Sequence, residues 1–194
     1  MPSPRRPLQQ QPNRAPTAPS PAAPPPMLGL HHVAYRCRDA EETRAFYEDL
    51  LGLPLLHVIR SDTVPSTGER CPYAHIFFEL GDGSCVAFFD LGDGQSAEPS
   101  PNTPAWVQHI AWRARRPSDL PSMKDRLERA GVEVLGPVDH GIFVSIYFFD
   151  PNGVRLELCA QKAPPAEMED HRRQARSLLD AWTREKGELG PAGS

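Results

Sequence analysis

No apolar run in this chain approaches the length needed to span a bilayer, so a membrane partner is set aside. Basic charge is in no excess either: the formal net charge is -4. Its arginines and lysines are scattered among acids along helical stretches, as on a solvated surface rather than a nucleic-acid-binding face. Cysteine is sparse. Cys37, Cys71, Cys85 and Cys159 form no C-x-x-C pair and lack the spacing of a disulfide scaffold. Three of them lie in apolar strand-like runs, where a free cysteine is a small buried hydrophobe, and a reducing, cytoplasmic setting fits best. What remains open is the chemistry of a small molecule.

The first 26 residues are proline-rich, contain Arg5, Arg6 and Arg14, and have no acid. Such a stretch cannot bury enough apolar surface to offset its ordering entropy, and it is expected to be disordered. Met27 follows it directly and is read as a start of translation. The rest amounts to one domain, expected over residues 27–161, followed by a C-terminal helix and tail over 162–194.

Within that domain the chain repeats itself. His32-Val33-Ala34-Tyr35-Arg36-Cys37-Arg38 returns as His109-Ile110-Ala111-Trp112-Arg113-Ala114-Arg115, with small, aromatic and basic residues in the same order. Gly83-Ser84-Cys85-Val86-Ala87-Phe88 is echoed by Gly153-Val154-Arg155-Leu156-Glu157-Leu158. Repetition on this scale fixes the architecture before any local reading.

The first unit, about 28–94, reads as a strand Leu30–Cys37, a helix Ala40–Leu51 capped by Asp39 and closed by Gly52, and strands Pro54–Ser61, Tyr73–Leu80 and Ser84–Leu91. The second, about 104–161, reads as a strand Trp106–Ala114 and a helix from a Ser118 cap to about Ala130. Strands Val132–Leu135, Ile142–Phe149 and Val154–Ala160 follow. The fold class is α+β, two βαβββ modules pairing into one open barrel-like cleft. A polar helix from Glu167 to about Lys186 carries Leu178, Leu179 and Trp182 on one side. That stripe is apolar enough to dock on a second copy, so a homodimer is expected.

Strand parity selects the residues that can do chemistry. Leu156 and Leu158 share the helix-packed face, so Glu157 points the other way. His32 opposes Val33, and His109 opposes Ile110, by the same rule. Two histidines and one carboxylate therefore reach the open side. This donor set holds Fe(II), with Mn(II) or another divalent cation as the alternative, and leaves positions free. Ala87 matches Glu157 in the first unit, so a fourth ligand is missing. Phe77, Phe89, Phe143 and Trp106 are expected to face the cleft and imply an apolar, aromatic ligand. His31, His57 and His171 are expected to be structural or exposed.

The two-unit plan, with His-Val-Ala and His-Ile-Ala opening the first strands, resembles the vicinal oxygen chelate superfamily over Leu28 to about Ala160. That superfamily includes glyoxalase I, fosfomycin- and bleomycin-resistance proteins, epimerases and type I extradiol dioxygenases. The stretch Val138-Asp139-His140, five residues, then Ile146-Tyr147-Phe148-Phe149-Asp150-Pro151-Asn152-Gly153-Val154-Arg155-Leu156-Glu157 is similar to the extradiol signature. The resemblance implies that His140 hydrogen-bonds the substrate or oxygen, Tyr147 holds the deprotonated catechol oxygen, and Glu157 ligates iron. It implies an oxidoreductase that opens a small aromatic diol with O2.

One departure touches that mechanism. Ring-cleaving relatives open the first unit's last strand with an acid-base histidine, and Ser84 stands there instead. His75, which the repeat aligns with Ser145, is the candidate stand-in. Two rivals follow. One is another metalloenzyme of the superfamily, an isomerase, epimerase or fosfomycin-type thiol transferase. The other is a metal-free binding protein of the bleomycin-resistance kind.

Overall fold

The computed structural model describes residues 27–188; the proline-rich segment read as disordered lies outside them. Two four-stranded sheets carry the fold. The first joins β1 (His32–Cys37), β2 (Leu55–Ser61), β3 (Tyr73–Glu79) and β4 (Cys85–Asp90) in the order β1-β4-β3-β2. The second joins β5 (Ile110–Arg113), β6 (Leu135–Asp139), β7 (Phe143–Phe149) and β8 (Arg155–Gln161) in the order β5-β8-β7-β6. In each, the first strand runs parallel to the last and the other pairs are antiparallel. Two βαβββ modules are thus present, as the repeat requires.

Helix α1 (Ala40–Arg44) starts where Asp39 Oδ1 accepts the Glu42 amide at 2.7 Å. The reciprocal half of a capping box is absent, because the Glu42 carboxylate turns to Arg38. The helix then widens into a π-helical segment, Ala45–Leu50, that buries Phe46 and Tyr47.

The second helix begins differently from the expectation. Ser118 lies inside a 3-10 turn, Pro117–Asp119, and neither that turn nor α2 (Leu120–Arg129) has a side-chain cap. Pro117 and Pro121 preset the backbone instead. The strand expected at Val132–Leu135 is also displaced. The Val132 amide binds the Leu127 carbonyl at 3.0 Å and Val134 is buried, so this segment leaves the helix packed on the core, and pairing starts at Leu135. Gly136 permits that strand to close in. Its φ is 111°, and a Cβ there would sit 2.7 Å from the Ser145 carbonyl oxygen.

The modules share one core through their helix-covered faces. Phe46, Tyr47, Phe78, Val86 and Phe88 from the first meet Leu120, Leu127, Ile146, Phe148 and Leu156 from the second. Each such side chain contributes about 1.5–3 kcal/mol on burial. A polar joint crosses the same boundary. Tyr47 donates to Asp150 Oδ2 at 2.9 Å, Asn152 Nδ2 donates to Thr43 Oγ1 at 3.1 Å, and the Arg38 amide donates to Asn152 Oδ1 at 3.1 Å. The final helix α3 (Pro165–Glu188) leaves Leu178, Leu179 and Trp182 exposed. Among the described residues no helix is long and apolar enough to cross a membrane.

Candidate active site

The register places equivalent positions of the two sheets on equivalent strands. Phe77 pairs with Ala87 as Tyr147 pairs with Glu157, and His75 pairs with Phe89 as Ser145 pairs with Cys159. All of these side chains lie on the faces opposite the helices. His32 and His109 open or immediately precede the parallel strands beside them.

In the second module a polar group is assembled. Glu157 is buried, with Ser145 donating to its Oε1 and His109 Nε2 standing 3.0 Å from its Oε2. His109 Nδ1 lies 3.1 Å from the Val107 carbonyl, which can only accept, so this nitrogen bears the hydrogen. On a neutral ring, Nε2 then presents a lone pair to a carboxylate oxygen. Two acceptors face each other across a gap that calls for a proton or a metal ion. A metal-ligating imidazole is usually held in this way, one ring N–H on a backbone carbonyl and the other nitrogen left free, here beside a carboxylate. The donor set present fits a divalent cation.

Tyr147 stands beside this pair, with its ring centroid 6.2 Å from that of His109. Its hydroxyl is 2.8 Å from His140 Nε2, and the Arg155 guanidinium lies 4.5 Å from its ring centroid. Burial, and then the negative charge of Glu157, push the Tyr147 phenol above its ordinary value, so it stays a hydrogen-bond donor.

His32 does not join this group within one chain. It lies in the first module, with ring centroids 6.0 Å from His75 and 5.5 Å from Phe77, and its Nδ1 is 2.8 Å from His31 Nδ1. Among the described residues no three of His, Cys, Asp and Glu come together as a metal set. The physical reason is the shared core: the modules meet through their helix-covered faces, and among the described residues no hydrogen bond, ion pair or aromatic contact joins one open face to the other.

His75 is buried and stacked on Phe89 with centroids 3.6 Å apart. Its Nδ1 lies 3.2 Å from the Phe88 carbonyl, which leaves Nε2 as the free nitrogen, and burial lowers its pKa. Ser84 is committed to its turn, donating to Asp82 Oδ1 at 2.6 Å.

Trp106, expected in the cleft, stands 67% exposed in the turn before β5. Ser145 enters the sequence reading only as the counterpart of His75, without a role, and Arg155 is given none. Arg155 shares the face of Tyr147 and Glu157 by strand parity, the signal that could have singled it out.

The sequence profile of the Glyoxalase/Bleomycin resistance protein/Dioxygenase superfamily matches residues 29–158, across both modules. The chain belongs to that superfamily. Over 93 residues this superfamily member is 32% identical to Biphenyl-2,3-diol 1,2-dioxygenase 2 of Rhodococcus globerulus, covering 44% of the chain and 48% of the dioxygenase. The chain therefore spans about half the length of that relative. It is 25% identical over 139 residues to the uncharacterized protein YwkD of Bacillus subtilis, covering 70% of the chain and 98% of that protein.

Solved structures share the fold. A glyoxylase/bleomycin resistance protein/dioxygenase domain from Frankia aligns with a TM-score of 0.57 at 19% identity, covering 71% of the chain and all of that domain (100%). A glyoxalase/dioxygenase from Nostoc punctiforme aligns with a TM-score of 0.54 at 23% identity, covering 76% of the chain and 100% of that protein. A fosfomycin resistance protein of Listeria monocytogenes, complexed with Mn(II), gives 0.52 at 18% identity, covering 73% of the chain and 98% of that protein.

Proposed function

We propose that this superfamily member is a metal-dependent, extradiol-type dioxygenase that opens a catechol-like ring with O2, in a site completed by a second copy of the chain. The observation that carries the reading is the 3.0 Å approach of His109 Nε2 to Glu157 Oε2, two ligand atoms held on one open face beside Tyr147 and His140. The partial likeness to the Rhodococcus dioxygenase supports the choice of chemistry.

His109 and Glu157 of one copy, with His32 of the other, would hold Fe(II), or Mn(II), in a two-histidine, one-carboxylate set. Such an ion supplies Lewis acidity and open positions for a diol and dioxygen. The remaining work falls to the chain. Tyr147 offers its hydroxyl to the diol oxygen, and His140, already hydrogen-bonded to Tyr147, steadies it. His75 arrives on the same sheet as His32, with Nε2 free to take and return a proton. The exposed stripe of Leu178, Leu179 and Trp182 is offered as part of the contact between copies.

A second reading rests on Ser84. Its hydroxyl is tied to Asp82 where ring-cleaving relatives keep an acid-base histidine, and this favours another metalloenzyme of the superfamily, isomerase, epimerase or thiol transferase.

Protein purified without oxygen should elute as a dimer and carry stoichiometric iron or manganese. It should then turn catechols into coloured ring-opened products. Metal without oxygen consumption would move the assignment to the second reading, and a metal-free protein would sink both. His32→Ala and Glu157→Ala should each lose metal alone, while mixing the two should restore it to a fraction of sites. No recovery would end the two-copy site.

A further inference from the structure

We propose that Arg155 selects a substrate carrying an anionic substituent, a carboxylate or a phosphonate, beside its metal-binding oxygens. This inference rests on the reading of His109 and Glu157 as ligands and adds to it the class of molecule taken.

Three observations converge on this residue. First, Arg155 has no carboxylate partner among the described residues. Half of the basic side chains of the described residues are paired, among them Arg36 with Asp93, Arg38 with Glu42, Lys124 with Glu128 and Lys162 with Asp139. The unpaired cations among those residues are exposed, except Arg155, which is partly buried. A guanidinium withdrawn from water without a counter-charge is costly unless a ligand supplies one.

Second, it is held in place. Its guanidinium lies 4.5 Å from the Tyr147 ring centroid, and strand alternation puts it on the face that presents Glu157. The Glu157 carboxylate is already engaged by Ser145 and His109, so it does not answer the arginine.

Third, there is room. His109 and Arg155 both line a cavity of about 450 Å³, within the range that encloses small ligands. Gln108 and Ser100 add polar groups to its wall, and Glu98 adds the one acid, with no ion pair to Arg155 among the described residues. A planar guanidinium in such a wall accepts a carboxylate or phosphonate through paired N–H donors. A neutral substituent would leave those donors unanswered.

The test compares 3,4-dihydroxybenzoate with 4-methylcatechol, which exchange a carboxylate for a methyl, by anaerobic titration calorimetry on metal-loaded dimer. Wild-type protein should bind the acid roughly 10- to 100-fold more tightly, the range of one charge-assisted contact. Arg155→Met should bring that ratio close to one, and Arg155→Lys should keep part of it. Added salt should shrink the wild-type ratio.

Benzoate and phenylphosphonate, titrated into metal-free protein, separate the two anions and the two levels of the argument. Binding of either that disappears in Arg155→Met, while 4-methylcatechol does not bind loaded protein and metal leaves the affinity for 3,4-dihydroxybenzoate unchanged, would keep the anion site and end the metal-site reading. Equal affinity for the two catechols in wild type, or a preference that survives in Arg155→Met, would overturn the proposal.

Discussion

The two modules present the same four positions on their open faces and fill three of them with different chemistry. His32 and His109 match, but His75 stands where the second module has Ser145, Phe77 where it has Tyr147, and Ala87 where it has Glu157. The second sheet thus holds a hydrogen-bonded, acidic half-site. The first holds histidines among aromatic rings, with His75 between Phe77 and Phe89. One scaffold used twice has become two unlike halves, each with part of the proposed ligand set and neither with all of it.

The largest effect should come from making the second module resemble the first at its decisive position. Glu157→Ala removes the carboxylate and leaves the Ser145 hydroxyl and the His109 imidazole facing an empty space. Bound metal should fall below detection and turnover with it, while circular dichroism stays native. Stoichiometric metal retained in this variant would mean that the asymmetry between Ala87 and Glu157 has nothing to do with metal.

Next is the pair Phe77 and Tyr147. Tyr147→Phe copies the first module's residue and deletes only the hydroxyl that lies 2.8 Å from His140. Metal should remain, and kcat should fall by roughly 10²–10⁴, as for a positioned hydrogen-bonding or proton-transfer group. His75→Ala should produce a loss of similar size if Nε2 moves a proton. Turnover within a few-fold of wild type would make His75 a packing residue, with its stacking on Phe89 as its whole role.

The reverse exchange is milder. Ala87→Glu gives the first module a carboxylate where the chain has a fully buried methyl group. Without metal it should cost about 2–4 kcal/mol, from crowding between Phe77 and Phe89 and from burying a polar group. Added Mn(II) should return part of that loss, because the new carboxylate shares a face with His32. Thermal shifts with and without metal check it, and a metal-independent loss would show that the two sheets are not interchangeable frames.

Much of this was legible from spacing alone. The repeat gave both modules, alternation put Glu157 on the open face, and Asp39 marked the start of α1. Local rules failed where a distant contact decided. β6 starts late because Val132 and Val134 pack on the core instead of pairing. Ser118 loses its capping role because Pro117 sets a tighter turn. His32 parts from His109 and Glu157 because the way two modules dock is fixed by side chains about a hundred residues apart. Tyr47 with Asp150, and Thr43 with Asn152, have no periodicity that announces them. The Asp-Pro-Asn-Gly turn suggests a hairpin and nothing more, yet it forms the joint between the modules.

That joint is itself one-sided, and this sets the smallest prediction. Leu80 occupies the first module's counterpart of Asp150, so only the second module sends a carboxylate across the boundary. Burial raises the Asp150 carboxyl above its ordinary range, against the lowering effect of donors from Val154, Tyr47 and Asn152. A carboxyl whose folded pKa is raised adds stability that is complete below its unfolded pKa and is lost as pH rises through the folded one. Asp150→Asn keeps the shape, can accept from the backbone amides, and lets the Tyr47 hydroxyl turn to accept. At neutral pH the exchange relieves a buried charge and weakens charge-assisted hydrogen bonds, opposing effects of about 1–3 kcal/mol each, so its net effect is small. The slope should change more than the level. Measured from about pH 4 to pH 8, the Tm of Asp150→Asn relative to wild type should climb, because only wild type carries a carboxylate that becomes charged inside the joint. A constant difference across that range would show that Asp150 is already ionised and fully compensated by its donors.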